Sequence, residues 1–180
     1  MQRENAMTTK VRIWIAGITL LAMFGLIYLS GPSYAHGQDD LAQTVKKIAV
    51  AINKGDNDGA KKLAAATAKN VKLIDEISDL MHMYRPKDKG GLGIEKALKN
   101  PAPTDAQELG NLVNAMAELT LAKGWPMDEG KKTKKAWNDF AAELRAAGQQ
   151  LAKANDAKGV TAAATKITNV CNRCHSLFKE

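Results

Sequence analysis

The chain's two cysteines stand three positions apart near its C-terminus with a histidine directly after the second, in the run Val170-Cys171-Asn-Arg-Cys174-His175. Cys-x-x-Cys-His has the form of a c-type haem attachment site. The reason is geometric. On a helix the two thiols fall within one turn of each other and can form thioethers to the two vinyl groups on one edge of a haem. The adjacent histidine then swings its imidazole beneath the ring to reach iron. Competing chemistries ask for different surroundings. A thioredoxin-like dithiol needs a helix N-terminus to lower a thiol pKa, generally beside a sheet, and these cysteines come late in a helix. Structural zinc wants four ligands and the motif supplies three; His36 lies in the tail after the leader and His82 shares a helix face with Ser78 and Asp79. A disulfide across so small a loop stabilises little and leaves His175 without a role. The expectation is one covalent haem, anchored by Cys171 and Cys174, with His175 as axial iron ligand.

The elements that must carry this motif read as helices throughout, since no segment alternates apolar and polar residues as a half-buried strand does. Asp39 to Asn53 places Leu41, Val45, Ile48 and Ile52 at helical steps and stops at Lys54-Gly55. Asp58 opens an expected long helix to about Tyr84, with Leu63, Thr67, Asn70, Ile74, Ile77, Met81 and Tyr84 on one stripe. A third helix follows Thr104, with Leu109, Leu112, Met116 and Leu119 as its seam, and closes at Gly124-Trp-Pro126. A fourth runs from about Thr133 to Asn155 on Trp137, Phe140, Leu144, Ala147 and Leu151. The fifth begins near Ala157, and its seam of Val160, Ala164, Ile167, Cys171, Cys174 and Phe178 is expected to turn both thiols into the core. Short links favour antiparallel pairs, so the predicted fold is all-α: a four-helix bundle with an extra short N-terminal helix. The span from Arg85 to Pro103 reads as a long loop, functional or partly disordered, in which "IEKALKN" could make a helical turn. Its Gly-Gly-Leu-Gly is not a phosphate loop, because no Lys-Ser/Thr follows it.

Ahead of this domain, Arg3, Lys10 and Arg12 precede an apolar run from Ile13 to Leu29 and a small-x-small site at Ser33-Tyr-Ala35. Residues 1–35 read as a secretory signal peptide, with an uncleaved anchor as the alternative, and residues 36–180 as the haem-binding helical domain. The expected location is periplasmic or otherwise extracytoplasmic, with membrane association only if the leader stays attached. After the leader, 23 Lys+Arg stand against 18 Asp+Glu. That mild basicity suits solvated helix faces, or docking of an acidic redox partner at Lys87 and Lys89 or at Lys131 to Lys135. Nucleic acid is not expected of an exported chain with few aromatics and no dense arginine run.

From Thr104 to Glu180 the sequence resembles the class II c-type cytochromes, the cytochrome c′ group. The resemblance rests on "TDAQELGNLVNAMAEL", the Trp-Pro loop, "KKAWNDF" and "CNRCHSLFK", whose Phe178 and Lys179 match the aromatic-basic pair after that family's attachment histidine. It implies a haem-bearing four-helix bundle and admits a homodimer. It also implies that the ligand opposite His175 decides the function: a methionine from the first long helix makes a six-coordinate electron carrier, and an empty position makes a five-coordinate haem that binds NO or CO. Met81 is the preferred candidate for the sixth ligand because it continues the stripe of Ile74 and Ile77. Met116 is held in reserve, Met83 reads as off the stripe, and His82 as solvated. An open distal face would be lined by Leu73 or Ile74. No Ser-His-Asp set or carboxylate pair stands out, so a non-enzymatic role in single-electron transfer is expected, with gas binding as the alternative and a zinc or purely structural bundle behind it.

Overall fold

The computed structural model describes residues 34–179, with side chains placed from Gly37 onward. The predicted leader, except for its last two residues, and the His36 side chain lie outside the described residues. Seven α-helices are described: α1 Tyr34–Asn53, α2 Asn57–Ala68, α3 Ile77–His82, α4 Ile94–Lys99, α5 Ala106–Lys123, α6 Lys134–Lys153 and α7 Ala157–Phe178. The fold is an all-α bundle, and no strand is present among the described residues. None of these helices is long and apolar enough to cross a membrane.

The long helices lie where apolar spacing and caps place them. In α1 the residues Leu41, Val45 and Ile48 are fully buried, and the helix stops at Gly55, whose φ of +79° suits a residue without a Cβ. Thr133 caps α6 by accepting a hydrogen bond from the Ala136 N–H at 3.1 Å, and Asp156 caps α7 by accepting from the Gly159 N–H at 2.6 Å.

Helices α5, α6 and α7 run antiparallel in sequence order. Glu118 of α5 pairs with Arg145 of α6, while the Trp137 indole N–H near the start of α6 donates to the Thr120 carbonyl near the end of α5. At the crossing, Gly110 and Gly148 bring the two backbones together: a Cβ on Gly110 would stand 2.3 Å from the Ala152 nitrogen and 2.6 Å from the Gly148 oxygen. The pairs Gln150 with Lys166 and Glu143 with Arg173 set α7 antiparallel to α6. Helix α1 joins α5 through Asn53, whose side-chain oxygen accepts from Gln107 and Asn111 at 3.0 Å each.

The expected long helix from Asp58 to Tyr84 is not formed. Its cap is Asp56 instead of Asp58, and α2 ends at Ala68. The break comes at Asn70, whose side-chain oxygen accepts the Lys72 N–H at 3.1 Å and whose carbonyl accepts from Leu73 and Ile74. A local Asx turn competes with helix propagation, and the β-branched Val71 that follows is left 68% exposed. The chain restarts as α3 when Asp79 accepts the N–H groups of Asp75 and Glu76 at 2.9 and 3.0 Å. Lys123 from the end of α5 holds the non-helical stretch by donating to the carbonyls of Ile74 and Asp75.

The span after Arg85, expected as a loop, is built. It contains a 3₁₀ turn at Lys87–Lys89 and the helix α4 over the "IEKALK" run, and it buries Leu92 and Ile94. Three backbone N–H groups close it onto the end of α3: Leu92 donates to the Met83 carbonyl at 2.8 Å, Gly93 to Arg85 at 2.7 Å and Glu95 to Tyr84 at 3.0 Å. These bonds satisfy backbone groups of a segment whose composition alone suggests a loop.

Candidate functional site

The Cys-x-x-Cys-His motif occupies the last two turns of α7. The core face of this helix runs through Val160, Ala163, Ile167 and Val170, all buried. At about 100° per residue Cys171 and Cys174 continue the face of Ala163, Ala164 and Ile167, as expected. In the last two turns of the helix that face is only partly covered, so both thiols are half-buried where full burial was expected, and His175 is exposed. Cys171 still packs against the core cluster.

Both cysteines are free. Burial pushes the Cys171 thiol up, and burial followed by the charge of Cys171 pushes Cys174 up to about 11. Two protonated thiols near the C-terminal end of a helix are the reverse of an activated dithiol, which needs a depressed thiol pKa. Among the described residues the His175 imidazole has no hydrogen-bond partner, and its backbone carbonyl accepts from the Lys179 N–H at 3.0 Å. Also among the described residues, no three or more His, Cys, Asp or Glu side chains converge as a metal cage.

An aromatic group stands at the end of α7. Phe178 is the hub, with ring centroids 4.5 Å from Trp125, 5.2 Å from Trp137 and 6.3 Å from Phe140. Trp125 and Trp137 contact each other at 5.2 Å. Arg173, between the two cysteines, places its guanidinium 5.5 Å over the Phe140 ring and pairs with Glu143, so the attachment turn is fastened to α6. Edge-on ring contacts of this kind add roughly 0.5–1.5 kcal/mol each beyond area burial.

Met81, Met83, His82 and Met116, the side chains weighed as a sixth ligand, differ in burial. Met81 is half-buried against the core, whereas Met83, off the stripe by spacing, is fully buried. The helix break at Asn70 is the cause, because it resets the rotation of everything after it. His82 is half-buried as well, not simply solvated, with Nδ1 3.4 Å from the Gln38 amide nitrogen. Met116 is fully enclosed in α5. Tyr84, by spacing no more than the last residue of a helix stripe, has a larger place in the structure. It packs against the same core as Cys171, and burial, with added effects of Cys171 and then Cys174, pushes its hydroxyl well above the usual phenol range.

The donor set fits a covalent haem: two unpaired thiols one helical turn apart, an unpartnered imidazole next to them, and apolar side chains around. Two surface hollows lie elsewhere, one by Gln150 and Gly159, the other between α4 and α7 by Leu98 and Thr165, and neither is lined by the cysteines. Comparisons of the chain with protein-family models, with curated proteins and with solved structures return no match.

Proposed function

We propose that this protein is an extracytoplasmic monohaem c-type cytochrome, similar to the cytochrome c′ group, that carries single electrons. The observation that carries the reading is the pair of unpaired thiols one turn apart on α7, followed at once by a free, exposed imidazole. Cys171 and Cys174 would hold the haem through thioethers, and His175 would be the iron ligand on the near side. The bound group supplies a one-electron iron couple. The chain's own part is to hold the attachment turn rigid, through Arg173, Glu143 and the Phe178 aromatic group. Met81 remains the proposed sixth ligand. An acidic protein partner is proposed to dock on exposed lysines such as Lys87 and Lys89, and a flat salt dependence of the electron-transfer rate would count against it.

A second reading is a five-coordinate haem that binds NO or CO, which follows if Met81, packed against the core, leaves the iron open. Purified protein from a host that matures c-type cytochromes separates the two. Absence of a Soret band removes both. A reduced spectrum unchanged by CO removes the gas-binding reading, and a Met81→Ala protein with an unaltered low-spin spectrum removes Met81 as ligand.

A further inference from the structure

The loop between α5 and α6 brings a charged surface to the end of α7. Trp125 opens this loop, and its ring stands 4.5 Å from Phe178 and 5.2 Å from Trp137, whose indole N–H donates to the Thr120 carbonyl at 2.9 Å. Phe178 is four residues beyond Cys174 on α7, so the two share a helix face one turn apart. The ring contact therefore seats the loop beside the attachment turn. Its outer part is pinned as well. Glu129 and Lys132 exchange backbone hydrogen bonds of 2.9 Å around Gly130, whose φ is +56°, and Asp128 Oδ1 accepts the Lys134 N–H at 2.6 Å.

This loop presents one apolar side chain among lysines. Met127 is 69% exposed, and between it and Lys135 four lysines stand against two acids. Asp128 is engaged by the loop's own backbone, Lys135 pairs with Asp139 at 2.6 Å, and exposed Glu129 sits at the tip. Lys131 and Lys134 are exposed and have no carboxylate partner among the described residues. The Lys87–Lys89 turn is a poorer candidate. Asp88 stands between its two lysines, and among the described residues no ring contact or hydrogen bond joins it to the last two turns of α7. We infer that the α5–α6 loop is the docking surface for an acidic protein partner, with Lys131 and Lys134 meeting its carboxylates and Met127 its apolar centre. An apolar contact rimmed by complementary charge is the ordinary build of a protein interface. An anionic bilayer would ask for a broader apolar face than a single methionine, because Trp125 is committed to the ring group. The inference deepens the haem reading by assigning the side of the molecule on which a redox partner sits, and rests on that reading for its purpose.

The test is the affinity of fluorescein-labelled decaglutamate, read by anisotropy at low salt, for protein purified from a host that matures c-type cytochromes. Lys131→Glu combined with Lys134→Glu is expected to weaken binding roughly fivefold or more, and Lys87→Glu combined with Lys89→Glu by under about twofold. Both pairs change the net charge equally, so a difference between them reports location. High salt should abolish the binding. Equal weakening by the two pairs would overturn the inference, as would a larger effect of the Lys87 and Lys89 pair. Sedimentation with phosphatidylglycerol vesicles without decaglutamate binding would overturn it in favour of a membrane surface. Covalent haem is measured in parallel by mass. Binding selective for the loop without attached haem sinks the haem reading and leaves the docking surface standing. Attached haem with equal weakening sinks the docking surface alone.

Discussion

The α5–α7 half of the molecule and the segment between α2 and α5 are held by different forces. Residues 106–178 form three long antiparallel helices joined by side-chain packing, with Leu151, Ile167, Met116 and Leu119 fully buried and the two glycines Gly110 and Gly148 allowing close approach. Residues 69–105 form short pieces that also send Ile74, Leu80, Met83 and Ile94 into the core, and to this they add backbone hydrogen bonds between pieces and a lysine that caps carbonyls from outside. Long helices gain their stability from an apolar face that repeats over several turns, which a six-residue helix cannot supply. The short segment therefore has to satisfy its polar backbone explicitly. The candidate site has its anchors on the packed half, in the last two turns of α7.

The largest effect expected is at the anchors. Replacing Cys171 and Cys174 together with serine should remove the proposed covalent haem entirely while leaving the helical circular-dichroism spectrum unchanged, because both residues are only half-buried, in the last turns of α7. Loss of helicity instead would mean that these last turns belong to the packed half. Next comes the core of that half, where Leu151→Ala should cost about 2–5 kcal/mol in urea unfolding; a cost near zero would break the contrast between the packed half and the short segment. Gly110→Ala and Gly91→Ala set the two regimes directly against each other, with overpacking costs of about 1–3 kcal/mol at either site. The first should lower the cooperative melting temperature. The second should speed amide exchange at Leu92, Gly93 and Glu95 with little change in α5–α7.

Smaller again is Thr133→Ala, which removes the cap of α6 and should cost about 1 kcal/mol in the same unfolding assay. The smallest effect concerns pH. The Cys174 thiol is raised from an ordinary value of 9.0 to about 11, so the folded chain holds a proton that the unfolded chain releases first. Stability of the reduced, cofactor-free protein from this group is fully present below pH 9 and is lost as pH rises toward 11. Denaturant midpoints measured across that window should fall, and Cys174→Ser should flatten part of the slope.

Much of the α5–α7 half is legible in the sequence. The caps at Thr133 and near Ala157, and the seams through Leu109, Met116, Leu144, Leu151 and Ile167, follow from side chains within a few residues of one another. The seam of α7 is legible as a face, but spacing does not tell how far the bundle covers it, and at Cys171 and Cys174 the cover is partial. Asn70 passes for a stripe position because helical spacing says nothing about whether an amide side chain will bond its own backbone. Trp125 reads as a loop closer, and its contact with Phe178 spans more than fifty residues. Tyr84 carries one local signal, its place just before Arg85-Pro86 and the glycine run, a composition that suits a tight turn.

By itself the sequence determined the all-α class, the spacing of Cys171, Cys174 and His175, and the helices that carry them, since each depends on steric and hydrogen-bonding relations within a turn or two. Only the structure decided how far the thiols are covered, where the expected long helix breaks, and that the glycine run closes onto the turn after α3. Those outcomes depend on how separate apolar faces share one core and on which carbonyls the run can reach. Residue spacing does not encode them, because they are settled by competition between helix propagation, local turns and packing.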